Sequence, residues 1–167
     1  MNHQEVTIIV EQLAKLLTQN NKFISVAESC TGGWVAKVLT DLAGSSEWFE
    51  RGFVTYSNRA KHEMLGVAES TLQKYGAVSE ETVSEMAIGA LTNSHADFSL
   101  SISGIAGPGG GTEEKPVGLV WFAWAEKTIE SERLIFSEHK CFSGERDTVR
   151  YQAVVYALSQ LLNLLSK

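Results

Sequence analysis

The run Val117–Ala125 is apolar throughout and is the longest such stretch in the chain. It is far shorter than the roughly 18 apolar residues that a membrane-spanning helix needs. A strand without polar alternation has no face to offer to water, so it has to be covered on both sides. The chain is therefore expected to build a sheet with this run as a central strand and with helices packed on each face.

The rest of the pattern supplies those helices. Val6, Val10, Leu13 and Leu17 recur at helical spacing within Glu5–Gln19, which predicts an amphipathic opening helix. Phe23–Ala27 reads as a short strand, and Trp34, Val35, Val38, Leu39 and Leu42 as a helix ended near Gly44. Phe53–Tyr56 reads as a second strand, followed by helices over Asn58–Leu65 and Glu69–Tyr75, stopped at Gly66 and Gly76. Ser79 is a good N-cap for a helix running to about Thr92. Phe98, Leu100 and Ile102 alternate with Ser99, Ser101 and Ser103, the pattern of a half-buried strand. Leu134–Phe142 carries polar interruptions that suit an edge strand. Ser143–Asp147 then opens a long closing helix with Val149, Ala153, Tyr156, Leu161 and Leu165 inward. Helices alternate with strands early, and strands follow one another late. The expected fold is an α/β three-layer sandwich, a mixed β-sheet flanked by helices on both faces. Residues 1–167 are expected to form a single domain, within the usual ~100–200 residues.

Composition narrows the function. The chain holds 14 basic and 20 acidic side chains, a net charge of −6. That argues against nucleic acid as a partner, because its backbone is gripped mainly by Lys and Arg. Glu5 and Glu11, with no basic leader, argue against a signal peptide. Cys30 and Cys141 cannot make a disulfide framework, and His3, His62, His95 and His139 are scattered, so no metal site is signalled. The expected setting is cytoplasmic, with no membrane, metal or cofactor. The four tryptophans and the apolar run leave room for a homo-oligomer interface.

Three segments could carry chemistry. The first is Glu28-Ser29-Cys30-Thr31-Gly32-Gly33, where a strand end meets a helix start. A hydroxyl held there could attack an electrophile while helix-start N–H groups receive the developing oxyanion. The same residues would also serve as a polar N-cap, with glycines for close helix–sheet packing. Cys30 is a rival nucleophile at the same turn. The second segment runs from Tyr56 through Ser57 and Asn58 to Lys61. A lysine stripped of its charge by burial can act as a base, and a tyrosine hydroxyl can relay the proton; otherwise Lys61 is a surface lysine on an exposed helix. The third runs from Ser103 and Gly104 through Ala106, Gly107, Gly109 and Gly110 towards Lys115. Such backbone can cradle an anion or simply be a surface loop. It matches neither a Walker A loop nor G-x-G-x-x-G, so it does not signal ATP or a dinucleotide. Arg146 at the last helix start could add an anion contact.

Taken together, these segments resemble the amidase domain of the CinA family in its stand-alone form. The resemblance rests on Ala27–Gly33, Gly52–Asn58 with Lys61, Leu65–Val67, Gly76–Ser79, Ser103–Pro108 and Lys115–Gly118. It spans nearly the whole chain, and several separate motifs in the right order make it specific. The pterin-binding-like domain of full-length CinA proteins has no counterpart here. The resemblance implies hydrolysis of the carboxamide of nicotinamide mononucleotide to nicotinate mononucleotide and ammonia, in pyridine nucleotide salvage. By carry-over, Ser29 is the nucleophile, Lys61 its base and Tyr56 an assistant in proton transfer. The substrate would lie against Glu28, Cys30, Thr31, Gly32, Gly33, Ser57, Asn58, Ser103, Gly104, Ala106, Gly107, Gly109, Gly110 and Arg146. Ser103 stands where relatives often carry Thr, which keeps a hydroxyl, and Gly109 stands where they often carry Asp. Two rivals stay open: a cysteine amidase using Cys30, and a nucleotide-binding module that does not hydrolyse. The latter would be signalled by loss of Ser29 or Lys61, and both are present.

Overall fold

A computed structural model describes residues 3–167. The chain runs α1 (His3–Gln19), β1 (Ile24–Glu28), α2 (Trp34–Thr40), a 3-10 turn (Ser45–Glu47), β2 (Phe49–Val54), α3 (Asn58–Leu65), α4 (Glu69–Tyr75) and α5 (Glu80–Thr92). It then runs β3 (Phe98–Gly104), β4 (Leu119–Lys127), β5 (Glu132–Cys141) and α6 (Arg146–Leu165). The strands form one sheet in the order β2-β1-β3-β4-β5. β1 pairs parallel with β2 and β3, and β4 pairs antiparallel with β3 and β5. Helices α1, α2 and α6 cover one face, and α3, α4 and α5 the other. This is the expected mixed α/β sandwich.

The helix boundaries follow from local chemistry. Ser57 and Ser79 accept the N–H of Ala60 and Thr82, capping α3 and α5. Gly66 ends α3 in the left-handed conformation (φ 70°), where a side chain would be strained. α1 buries Val6, Val10, Leu13 and Leu17, as their spacing predicts.

Three details depart from the expectation. β2 lies at Phe49–Val54, upstream of the predicted Phe53–Tyr56. Its first residues lack apolar alternation because it is an edge strand, and pairing with β1 sets its position. The middle strand of the sheet is the alternating β3, while the apolar β4 is the interior strand beside it. Finally, β3 is buried on both faces rather than half-buried.

The serines of β3 explain how that is tolerated. A buried hydroxyl needs a partner, and here α5 provides one. The hydroxyls of Ser99 and Ser101 donate to the carbonyls of Ala87 and Val83 at 2.7 and 2.6 Å. Ser25 on β1 donates to Ala90 at 3.3 Å. With Ala27, Ala123 and Ala125 these serines make one face of the sheet small-chained, so α5 can lie close against it. The opposite face carries the bulk: Val26, Leu100, Ile102, Phe122 and Trp124 pack under α1 and α6.

α5 in turn fixes α3. A Cβ on Gly89 would lie 2.0 Å from the Leu65 carbonyl oxygen, so only glycine lets the two helices approach this closely. Gly89→Ala should destabilise the fold by about 2 kcal/mol despite alanine's better helix propensity. Thermal melting should show it as a fall of roughly 4–8 °C.

Candidate active site

In a parallel sheet, a crevice opens where neighbouring strands send their connections to opposite faces. β1 feeds α2 on one face and its neighbour β2 feeds α3 on the other. The first two predicted segments leave the sheet at this point. The third leaves from β3, on the other side of β1.

Ser29 is the first residue beyond β1. Its N–H is bonded to the Ile102 carbonyl of β3 at 2.9 Å, which anchors it to the middle of the sheet. Lys61, on α3, reaches back so that its Nζ lies 2.9 Å from Ser29 Oγ and 2.8 Å from the Thr55 carbonyl. Lys61 is only 1% exposed and forms no ion pair among the described residues. Burial without an anionic partner disfavours the ammonium form and lowers its pKa to about 8. Its Nζ donates to the Ser29 hydroxyl and to the Thr55 carbonyl, and as a neutral amine it can keep the Thr55 bond while accepting from Ser29 in turn.

Cys30 points elsewhere. Its thiol is buried in the apolar layer under α6, and burial pushes its pKa up to about 11. A thiol held protonated in the core is not an available nucleophile, so the cysteine alternative is not supported by the geometry.

Other site expectations need correction. Glu28 does not face a substrate: it is fully buried, and its carboxylate accepts the N–H groups of Gly33, Val35 and Ala36 at 2.8–3.0 Å. The start of α2 is thereby spent on an internal carboxylate and has no donors left for an oxyanion. Within the turn, Ser29 N–H is also engaged, the Cys30 N–H meets only its own thiol, and the N–H of Thr31 has no protein acceptor among the described residues. Thr31 is buried and its hydroxyl has no partner, while Gly32, in the left-handed conformation at φ 61°, is exposed beside it.

Tyr56 is 60% exposed, and its hydroxyl accepts from Arg146 at 2.9 Å rather than meeting Lys61 or Ser29. Arg146 also donates to the Gly107 carbonyl at 2.7 Å. Since Tyr56 follows β2 and Gly107 follows β3, this guanidinium spans the exit of β1, where Ser29 sits. Arg146 has no carboxylate partner among the described residues. A cleft of about 600 Å³ adjoins it, walled by Ala106, Pro108, Val117, Glu145 and Asp147. Ser29 and Lys61 lie outside its walls.

Ser103 is buried with its hydroxyl donated to the Ala77 carbonyl at 2.7 Å, so it braces the β3 exit against the α4–α5 connection. Ser57 caps α3, and Asn58 is exposed at its first residue. Gly104 touches β4: a Cβ there would lie 2.8 Å from the Leu119 carbonyl. Gly109 and Gly110 are exposed in the open loop.

Sequence reading missed Arg150. It donates to the carbonyls of Cys30 and Thr31 at 3.0 Å each and lies over the Trp34 ring at 5.1 Å. The only sequence signal was a basic residue one helical turn after Arg146, which by itself reads as a solvated helix position. Among the described residues no three His, Cys, Asp or Glu side chains gather as a metal site, and no helix is long and apolar enough to cross a membrane.

The buried lysine has a consequence for stability. Its folded-state pKa lies below the unfolded value, so below pH 8 folding bears the cost of burying a charge. That cost is relieved as pH rises from about 8 towards the unfolded value. Lys61→Met should therefore melt above the parent at pH 6 by a few degrees, and the gap should narrow by pH 9, as read by differential scanning fluorimetry.

Comparison with known proteins agrees with this architecture. The model of the CinA C-terminal domain matches residues 6–165. The nicotinamide-nucleotide amidohydrolase PncC of Shigella flexneri is 59% identical over 161 residues, covering 96% of this chain and 95% of that protein. The protein of that name from Escherichia coli K12 is 58% identical over the same shares. The crystal structure of competence/damage inducible protein CihA from Agrobacterium tumefaciens superposes with a TM-score of 0.90. It is 41% identical, and the match covers 98% of this chain and 96% of that one. From these matches, the chain belongs to the CinA C-terminal domain family.

Proposed function

We propose that this protein hydrolyses the carboxamide of nicotinamide mononucleotide to nicotinate mononucleotide and ammonia, a step of pyridine nucleotide salvage. One observation carries the chemistry: a buried lysine, uncharged in part at neutral pH, within hydrogen-bond reach of a serine hydroxyl. The amidohydrolase relatives support the substrate.

Ser29 Oγ attacks the amide carbon while Lys61 Nζ takes its proton. The carbonyl oxygen becomes an oxyanion, received by the N–H of Cys30, much as an elbow turn uses the N–H after its nucleophile. Lys61 then returns the proton to the departing nitrogen, the C–N bond breaks, and ammonia leaves behind an acyl-serine ester. Water attacks that ester with Lys61 again as base, releasing the carboxylic acid and restoring the serine. Tyr56 and Arg146 take the other end of the substrate. The Arg146 guanidinium, which forms no ion pair among the described residues, is suited to the nucleotide phosphate, and Tyr56 holds it at the rim in place of the proton relay expected from sequence.

Ammonia release from nicotinamide mononucleotide by the purified protein tests the proposal. Ser29→Ala should lose at least a thousandfold in kcat/KM, whereas Cys30→Ala should stay within a few fold. A base works only when unprotonated, so kcat/KM should climb about tenfold per pH unit and level off above about 8. An active Ser29→Ala enzyme, or a profile that falls through pH 8, removes this mechanism. Nucleotide binding without ammonia release would support the non-catalytic module instead.

A further inference from the structure

The turn carrying Ser29 is held from beneath by a charge that the mechanism above does not use. Arg150 lies on α6, one turn beyond Arg146, and is largely buried with 24% of its side chain exposed. Its Nε donates to the Cys30 carbonyl and its Nη2 to the Thr31 carbonyl, each at 3.0 Å. The guanidinium is fixed on two other sides: it lies over the Trp34 ring and donates to Asp147 at 3.2 Å. Gly32 lies against it, on left-handed backbone (φ 61°) that disfavours a side chain, while a Cβ there would meet Nη2 only at ordinary contact distance.

The choice of carbonyls matters. The Cys30 carbonyl belongs to the same peptide group as the Thr31 N–H, and the Thr31 carbonyl to the same group as the Gly32 N–H. A cation bonded to a peptide oxygen draws electron density through the amide and makes the N–H of that group a stronger donor. Gly32 N–H is bonded to the Ser29 carbonyl at 3.0 Å, closing the turn behind the nucleophile. Thr31 N–H has no protein acceptor among the described residues. We propose that Arg150 is the positioning residue of the nucleophile: its two carbonyl bonds set the Ser29–Gly32 turn and strengthen the Gly32 N–H bond that closes it behind Ser29. Arg150 touches no reacting atom. The inference rests on the function proposed above, and it explains why two arginines on one helix face have different neighbours. Arg146 forms no ion pair among the described residues, whereas Arg150 is bound to two carbonyls of the turn and to Asp147.

The test uses the full chain and two separate readouts. Steady-state deamidation gives kcat and KM, and the labelling rate of Ser29 by an alkyl fluorophosphonate reads serine reactivity without the nucleotide. Arg150→Lys and Arg150→Gln should lose about 30–300-fold in kcat, in the range for a misplaced reacting group. Their KM should stay within threefold, and the rise in activity through pH 8 should not move. Ser29 labelling should slow in parallel. In Arg150→Ala, millimolar ethylguanidinium should restore at least tenfold of the lost rate. A kcat within threefold of the parent, or a loss confined to KM, overturns the proposal. So does a loss that tracks the folded fraction in all three variants with no guanidinium rescue. A parent enzyme that neither releases ammonia nor labels at Ser29 overturns the underlying function instead. A parent that labels while its Arg150 variants label equally fast overturns only the role of Arg150.

Discussion

A lysine amine enclosed by protein without an anion beside it has to weaken its hold on a proton, and the arrangement at the β1 exit follows from that constraint. Lys61 could have been neutralised by a carboxylate, and Glu28 is in the neighbourhood. Its charge is instead absorbed by three main-chain N–H groups at the start of α2. That division leaves the amine without an anion beside it, and so basic. A carboxylate against Lys61 would hold it as an ammonium ion, which cannot accept the Ser29 proton. The Thr55 carbonyl takes one amine proton and orients the lone pair towards Ser29.

Positioning of that pair depends on the small-chained side of the sheet. Lys61 rides on α3, and α3 sits where α5 permits. α5 lies close to the sheet because serines and alanines face it and because Gly89 admits the Leu65 carbonyl. The serine hydroxyls satisfy their hydrogen-bonding needs with helix carbonyls, so no water layer is needed between sheet and helix. The larger hydrophobic layer on the opposite face carries α6, which brings Arg146 and Arg150 to the same edge of the sheet.

At this edge Ser29 and Lys61 lie inside the fold, and Arg146 stands at the surface beside Glu145 and Asp147. Ser29 is nearly enclosed, while Arg146 spans the exits of β2 and β3 through Tyr56 and Gly107. An anionic group arriving at Arg146 would compete with a neutral hydroxyl and a neutral carbonyl, both weaker acceptors than a phosphate.

Local chemistry determined a good deal of this molecule. Helical spacing in α1, the serine caps of α3 and α5, and the glycine stop at Gly66 are interactions between near neighbours, and sequence order contains them directly. The glycine and hydroxyl motifs likewise marked the strand exits as the place for chemistry. Tertiary structure decided the rest, because each remaining question concerned partners far apart in the chain. Period-two alternation showed that the serines of β3 share a face, but only α5 decided that this face is buried. Glu28 and Tyr56 looked like site residues from their place in the motifs. Whether Glu28 caps a helix and whether Tyr56 meets an arginine depend on where the helix N–H groups and α6 lie. Arg150 had only the signature of a helix-surface ion pair with Asp147: the carbonyls it holds are 119 and 120 residues away, and a hydrogen bond of that span exists only once the sheet has brought both ends of the chain together.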